Sequence, residues 1–198
     1  MLKMEKVTKT FKKQTVLKDL FLCVENGKLY LFVGPNGSGK TTTIRLIVKA
    51  ALLKKKSGRI LHDFPTIAYL ADKRAYPLLL YVETFLKYYL PSCSQEEISR
   101  QMQRYGMENK KIHALSKGMI QKMGLIQTLM QDRALYVLDE PEDGIDEAAM
   151  THLKEDLDKL LSNGKTVIIS THHPVRYEMF QPIVYTFKEG RCFEEKPS

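Results

Sequence analysis

The sequence is organised around one segment, Gly34-Pro35-Asn36-Gly37-Ser38-Gly39-Lys40-Thr41. An apolar run precedes it at residues 29–33, and residues 41–53 carry apolar side chains at helical spacing. The order is therefore strand, glycine-rich turn and helix. Glycines allow the backbone to approach a phosphate chain closely, and the N-terminus of the following helix adds partial positive charge. The segment therefore predicts a loop that binds phosphate groups.

The spacing within this loop gives two residues separate tasks. In the pattern G-x-x-x-x-G-K-[ST], Lys40 reaches the β- and γ-phosphates of a nucleotide and Thr41 places a hydroxyl on Mg²⁺. An ordinary glycine turn is the alternative, but it requires neither a strand before it nor a helix after it. We expect a nucleotide to contact nine consecutive residues, namely Gly34, Pro35, Asn36, Gly37, Ser38, Gly39, Lys40, Thr41 and Thr42.

Composition limits the class of protein. A chain of 198 residues suits one domain with a small insert better than two full cores. Hydrophobic residues make up 43% and charged residues 27%, which excludes a disordered chain. The sequence has no apolar run of the roughly 18 residues that a membrane-spanning helix needs and no recognisable signal peptide, so we expect a cytosolic protein. The net charge of +8 suits a nucleotide, an anionic membrane surface or nucleic acid equally well.

The N-terminal part of the chain predicts two antiparallel strands, at residues 2–7 and 16–24. The connector between them, at residues 10–14, is basic and contains one aromatic residue, Phe11. On residue type alone, Phe11 could stack on an adenine or pack under the strands. Packing is the more frequent role of such a residue.

The pattern becomes helical from Tyr76 to Arg133, and we interpret this segment as an insert in the core. Three of its aromatic residues have the spacing i, i+3 and i+4, namely Phe85, Tyr88 and Tyr89. This spacing is more typical of a stripe that faces the protein core than of a binding site.

Two carboxylates follow a second buried strand. The apolar run at residues 134–138 ends at Asp139 and Glu140, and a parallel strand delivers such residues to its C-terminal edge. A nucleotide triphosphatase needs a ligand for Mg²⁺ and a base that orients water, and these carboxylates suit both tasks. His172 follows the strand at residues 166–171 and can reach the same edge, although a histidine at a strand end is more often structural.

These segments, in this order, resemble the nucleotide-binding domain of ABC-type ATPases. Besides the phosphate loop, the resemblance rests on LSKGMIQK at residues 115–122, LYVLDEP at 135–141, GID at 144–146 and STH at 170–172, and it covers essentially the whole chain. It implies an α/β fold, in which a P-loop NTPase core of ABC type has a mostly parallel sheet, an N-terminal antiparallel β layer and a small helical insert. It also implies a single domain at residues 1–198, with a helical subdomain at about residues 76–133.

The resemblance assigns roles at a site for ATP and Mg²⁺. Lys40 would bind the β- and γ-phosphates, and Thr41 and Asp139 would hold the metal ion. Glu140 would be the general base. His172 would contact the γ-phosphate and the attacking water.

In this family two domains associate head to tail and enclose ATP between the phosphate loop of one and the signature segment of the other. Ser116 and Gly118 are the signature residues that would contact the nucleotide of the partner. Ser116 is a suitable N-cap for a helix that begins near Lys117, and the N-terminus of that helix favours an anion. The chain contains one phosphate loop, so the resemblance implies a homodimer or a heterodimer with a similar ATPase. Asp146 would lie at the dimer contact.

Three positions, Lys117, Met119 and Asp72, depart from the family pattern, and the resemblance changes the interpretation of a fourth, Phe11. Lys117 and Met119 replace a usual glycine and a usual glutamine of the signature, but the Leu-Ser-x-Gly core is retained. After the strand at residues 67–70 the family commonly has a glutamine that touches Mg²⁺, whereas this chain has Asp72, whose carboxylate is a further candidate metal ligand. The resemblance also implies that Phe11 stacks on the adenine, which reverses the interpretation from residue type alone.

The leading hypothesis is an ATP-hydrolysing motor subunit that moves the loops of a separate transmembrane permease. The subunit would lie on the cytoplasmic face of the membrane, and the permease would dock in a groove lined by Asp72, Arg74, Tyr76 and Pro77. No nucleic-acid partner is expected. The alternative is a soluble ABC-type ATPase that acts on nucleic acid or on a protein assembly, and the positive charge keeps this alternative open. A third possibility, raised by Asp72, is a nucleotide-binding regulator that hydrolyses little ATP.

Overall fold

The computed structural model describes residues 1–11, 14–48 and 57–195. The last part of the predicted first helix, residues 49–53, lies outside the described residues, as do the two lysines of the N-terminal connector, Lys12 and Lys13.

The central sheet has six strands, five of them parallel, and the last strand pairs antiparallel with its neighbour. In spatial order they are β5 (Ile67–Leu70), β6 (Leu135–Asp139), β7 (Thr166–Thr171), β3 (Leu29–Val33), β8 (Ile183–Lys188) and β9 (Arg191–Glu194). This is the mostly parallel sheet that the sequence predicted.

The strand that precedes the phosphate loop separates two hydrophobic cores. Leu29 and Leu31 of β3 pack into a core that contains residues of the helical segment 82–129, whereas Tyr30 and Phe32 pack into a core that contains residues of the N-terminal strands. All four side chains are buried. A strand that is buried on both faces needs apolar residues at every position, which explains the continuous apolar run before the loop.

A second sheet is antiparallel and contains β2 (Gln14–Val24), β1 (Leu2–Phe11) and β4 (Arg59–His62). Buried residues of its strands, such as Leu2, Met4 and Leu22, pack toward the central sheet. This is the predicted N-terminal antiparallel layer. β1 is longer than predicted and includes Phe11, because residues 9–11 still pair with β2.

The described residues include five α-helices, which are α1 (Lys40–Val48), α2 (Val82–Tyr89), α3 (Gln95–Arg104), α4 (Lys117–Leu129) and α5 (Glu147–Ser162). Three of their N-termini have side-chain caps, formed by Ser94, Ser116 and Asp146. Ser116 therefore caps α4 as predicted. Within the parts of the chain that the structure describes, no helix combines the length and the apolar character that crossing a membrane requires.

The interpretation of the aromatic residues of α2 was wrong for two of three. Phe85 is 1% exposed, but Tyr88 is 80% and Tyr89 is 50% exposed. The buried face of α2 consists of Val82, Phe85 and Leu86. Tyr88 lies roughly 110° around the helix from the centre of that face. Tyr89 ends the helix, where its ring packs on Phe85 with 4.7 Å between centroids but remains half exposed.

Candidate functional site

The strands β6, β7 and β3 are neighbours in the central sheet, and they run parallel, so their C-terminal ends meet at one edge. The phosphate loop follows β3, Asp139 is the last residue of β6 and His172 follows β7. Ligands of open α/β sheets bind at this kind of edge. The topology therefore brings the predicted phosphate, metal and catalytic residues together.

Two glycines of the loop occupy positions that exclude a side chain. Gly34 and Gly39 have φ angles of 150° and 115°. A Cβ on Gly34 would lie 2.3 Å from the carbonyl oxygen of Phe187, and one on Gly39 would lie 2.6 Å from Leu17 Cδ2. The loop can therefore pack against its neighbours only because these residues are glycine.

The ammonium group of Lys40 lies inside the loop. It donates hydrogen bonds to the carbonyl oxygens of Gly34 at 2.6 Å and Pro35 at 3.2 Å, and the residue is only 5% exposed. Burial lowers the pKa of Lys40, and the charges of Glu140 and Asp139 act in the opposite direction. A buried cation held by neutral carbonyl groups is well placed to attract a phosphate.

A cavity of about 110 Å³ opens in front of the loop. Six of the nine residues predicted to contact the nucleotide from the segment 34–42 line it, together with Val16 of β2 and the predicted base Glu140; the six are Asn36, Gly37, Gly39, Lys40, Thr41 and Thr42. The cavity therefore connects the phosphate loop directly to the carboxylate at the end of β6.

The end of β6 has the features of a site for a divalent cation. The hydroxyl of Thr41 lies 3.5 Å from Asp139 Oδ1, and Ser170 donates a hydrogen bond to the same oxygen. The other oxygen, Oδ2, is buried without a hydrogen-bond partner among the described residues. Burial raises the pKa of Asp139, while the hydrogen bonds from Ser170 and Thr41 oppose that effect. An unpartnered buried carboxylate oxygen beside a threonine hydroxyl fits Mg²⁺, which binds oxygen ligands and compensates buried negative charge.

Asp72 is exposed at the loop after β5 and is close enough to act on this carboxylate by its charge. The largest cause of the raised pKa of Asp139 is burial, and the negative charges of Glu140 and Asp72 add smaller effects in the same direction. Asp72 therefore adds to the negative potential at Asp139, and its role as a direct metal ligand stays a prediction.

Glu140 and His172 face each other across the sheet edge. His172 Nε2 lies 3.0 Å from Glu140 Oε1, and both side chains are partly exposed. The backbone of Glu140 has a positive φ of 52°, and its amide donates to the carbonyl oxygen and to Oγ of Ser170, at 3.1 and 3.2 Å. A left-handed conformation at a glutamate is uncommon, and these bonds to the neighbouring strand hold it.

The sequence did not predict two residues, Gln121 and Arg74, that support the backbone of Glu140 through hydrogen bonds. Gln121 of α4 is buried and donates to the carbonyl oxygens of Glu140 at 2.9 Å and Pro141 at 3.0 Å. Arg74, from the loop after β5, donates in turn to the side-chain oxygen of Gln121. Its guanidinium occupies the space that a side chain on Gly124 would fill, since a Cβ there would lie 1.7 Å from Arg74 Nη1. Gln121 lies in a segment that the sequence singled out, but no local signal indicated its partner.

The signature residues lie apart from this cavity, at the start of α4. Ser116 is exposed and accepts a hydrogen bond from the amide of Met119 at 3.2 Å. Gly118 packs against the loop after β6, where a Cβ would lie 2.4 Å from the carbonyl oxygen of Gly144. Neither Ser116 nor Gly118 lines the cavity of the same chain.

Phe11 lies at the end of β1 and is 52% exposed. The ammonium of Lys9 is 5.4 Å from the centre of its ring. The ring is therefore accessible for stacking, and its contact with adenine stays a prediction.

Comparison with known proteins identifies the family. The family model for ABC transporters matches residues 17–143. The chain belongs to the ABC transporter family. It is 29% identical over 211 residues to an uncharacterized ABC transporter ATP-binding protein, YhcH, of Bacillus subtilis, with 98% of this chain and 68% of YhcH covered. It is 28% identical over 214 residues to the lantibiotic transport ATP-binding protein SrtF of Streptococcus pyogenes, with 99% and 90% covered.

A solved structure shows the same fold for an ABC transporter cassette. It is the dimeric, post-hydrolysis state of the ATP-binding cassette MJ0796 bound to ADP and Pi, with a TM-score of 0.84, 23% identity and coverage of 99% of this chain and 98% of that one. The predicted fold, a P-loop ABC-type core, is thereby confirmed. The transporter hypothesis is confirmed as well: this ABC transporter protein is an ATP-binding ATPase and the motor subunit of a membrane transporter.

Proposed function

We propose that this ABC transporter subunit hydrolyses Mg²⁺-bound ATP at a site shared by two subunits arranged head to tail, and that a separate permease uses the resulting motion. Residues 1–198 would form a single domain of this family, with residues 76–133 as its helical subdomain. The observation that carries the proposal is the meeting of Lys40, Thr41, Asp139, Glu140 and His172 at one sheet edge, while the signature residues lie outside that cavity.

Each residue at the edge has a chemical task in this proposal. Lys40 exchanges its carbonyl partners for oxygens of the β- and γ-phosphates, and the loop amides bind the remaining charge. Thr41 and Asp139 would hold Mg²⁺, which when bound neutralises charge on the phosphates. Glu140 Oε1 accepts the proton of the attacking water. His172, 3.0 Å from that oxygen, orients the carboxylate and binds the γ-phosphate.

The second subunit supplies what the cavity lacks on its open side. Ser116 and Gly118 stand at the N-terminus of α4, a helix of 13 residues whose first amides and dipole favour an anion. In a head-to-tail pair this helix end would face the γ-phosphate of the neighbour. The cassette MJ0796, which has the same fold, is dimeric, and this supports a pair of subunits.

The loop that follows β5 offers a surface for the permease. Arg74 and Tyr76 of the expected docking groove point inward, since Arg74 bonds Gln121 and the hydroxyl of Tyr76 is buried. The exposed apolar residues of this region are instead Leu78, Leu79, Leu80, Tyr81, Tyr88 and Tyr89. Several adjacent apolar side chains in solvent are typical of a protein contact. A permease bound there would hold the subunit at the cytoplasmic face of the membrane.

Replacing Glu140 with glutamine tests the proposed base. Glutamine keeps the size and the contact with His172 but accepts no proton, so we expect phosphate release to fall by about 10³-fold while ATP binding persists. An ATP-bound dimer should accumulate and elute earlier than the monomer in size-exclusion chromatography.

The matched control is Glu108→Gln, which changes an exposed carboxylate paired with Lys110 in the helical segment. It should leave both the rate and the elution volume unchanged. Glu140→Gln protein that releases phosphate at the original rate would contradict the proposal.

A further inference from the structure

A carboxylate that the mechanism does not use, Glu142, connects the loop after β6 to Thr171, the residue before His172. Glu142 follows β6 in the same loop as Glu140, and both of its oxygens accept hydrogen bonds. Thr171 donates to Oε1, and the hydroxyl of Tyr177 donates to Oε2 at 2.9 Å. Thr171 and Tyr177 are fully buried, whereas Glu142 is partly exposed.

The direction of these bonds is determined by the donors. Thr171 Oγ1 accepts a hydrogen bond from the backbone amide of His173 at 2.8 Å. An amide can only donate, so the single hydroxyl proton of Thr171 is free for Glu142. Burial raises the pKa of Tyr177 well above its usual value, and the charge of Glu142 adds to this effect, so the phenol is also a donor.

The bonds fix the turn that carries His172. His172 stands between Thr171, which ends β7, and His173, whose amide returns to the Thr171 side chain. Glu142 therefore links the loop of the base to the turn of the histidine that touches the base. Hydrogen bonds to an ionised carboxylate are stronger than bonds between neutral groups. Such bonds can keep the loop of Glu140 and the turn of His172 in a fixed relative position.

We propose that Glu142 is a positioning residue for ATP hydrolysis, which holds the 171–173 turn through Thr171 so that His172 Nε2 stays at Glu140. The inference rests on the proposed roles of Glu140 and His172. It assigns Glu142 no contact with ATP.

The test compares three substitutions that remove or keep the link. Glu142→Ala leaves the buried hydroxyl of Thr171 without its acceptor, and Thr171→Val removes the donor. Each should lower kcat about 10-fold, with the KM for ATP changed less than about twofold. Glu142→Gln still offers an oxygen to Thr171, and its amide can donate to Tyr177, so it should retain most of the activity. Equal loss in Glu142→Gln and Glu142→Ala would overturn the role of the link.

A spectroscopic measurement separates positioning from general loss of structure. The imidazole NMR signal of His172, assigned with His172→Ala, should shift in Glu142→Ala and in Thr171→Val but not in the Glu108→Gln control. An unmoved His172 signal, or an unchanged kcat in Glu142→Ala, would overturn the inference.

The outcome is distinguishable from failure of the proposed function. If Glu140→Gln abolishes hydrolysis and Glu142→Ala does not reduce it, only the positioning role is wrong. If Glu140→Gln hydrolyses ATP normally, the proposed function itself is wrong. Urea unfolding and binding of a fluorescent ATP analogue, measured on every variant, identify any protein that has not folded.

Discussion

The edge of the central sheet and the start of α4, which we propose bind the same nucleotide in a dimer, differ in how their residues are held. At the sheet edge Asp139 and Lys40 are buried and hydrogen-bonded within the chain, and Glu140 is held by strand, helix and histidine. At the start of α4, Ser116 and Lys117 are exposed, and neither Ser116 nor Gly118 lines the cavity. One chain thus holds the residues of the proposed hydrolytic half by internal contacts and leaves the proposed signature half exposed.

The difference has a physical reason. Charges that must act in a defined geometry need buried partners, because solvent would screen and disorder them. The dipole of a helix does not depend on a partner at its N-terminus. An exposed helix N-terminus can therefore bind an anion that another subunit carries.

The largest effect is expected from mixing two inactive variants. Lys40→Ala removes the ammonium group that is proposed to bind the phosphates. Gly118→Ala places a Cβ 2.4 Å from the carbonyl oxygen of Gly144, which should displace the start of α4. Each alone should lose about 100-fold or more of the ATPase rate. In an equal mixture, half of the dimers contain one chain of each variant. In these dimers one of the two sites combines an unchanged Lys40 with an unchanged Gly118, so roughly a quarter of the ATPase rate of the original protein should return. A mixture that stays inactive would show that the halves do not come from different chains.

A smaller effect is expected at the support beneath Glu140. Gln121→Ala removes the hydrogen-bond donor of the Glu140 and Pro141 carbonyl oxygens and the acceptor of the Arg74 guanidinium, all beside the buried side chain of Gln121. Loss of such partners costs about 1–3 kcal/mol of unfolding free energy, and urea denaturation measures it. The exposed Gln103→Ala in α3 is the control and should not change the midpoint.

The pH dependence of stability tests the unpartnered carboxylate. The folded pKa of Asp139 is raised by burial, so its contribution to stability is fully present below the unfolded value near 3.8 and is lost as pH rises through the folded value. Without Mg²⁺ and nucleotide, the original protein should therefore lose stability relative to Asp139→Asn as pH increases from about 4 toward neutrality. A constant difference between the two urea midpoints would show that the carboxylate is not destabilised by burial.

The smallest effect is expected from the unusual lysine of the signature. Lys117 pairs with Asp143 at 2.8 Å, but both side chains are largely exposed. Exposed ion pairs contribute little to stability. Lys117→Ala should therefore leave the urea midpoint and the ATPase rate unchanged, which would confirm that this departure from the family pattern is tolerated. A fall in rate without a fall in midpoint would instead indicate that Lys117 acts on the nucleotide of the partner.

Prediction from sequence succeeded where local pattern and chemistry coincide. The strand, loop and helix around Lys40, the N-cap Ser116 and the carboxylates at the end of β6 follow from residues that are neighbours along the chain. It failed at Tyr88 and Tyr89, because i, i+3 and i+4 spacing does not indicate which side of a short helix faces the core.

The phosphate loop, its charged residues and the order of strands and helices along the chain can all be read from the sequence, because glycine content and hydrophobic period are local properties. The hydrogen bonds from Gln121 to Glu140 and from Thr171 to Glu142 are visible only in the folded structure. These partners lie 19 and 29 positions apart, and polar groups so distant meet only when the strands and helices that carry them have packed.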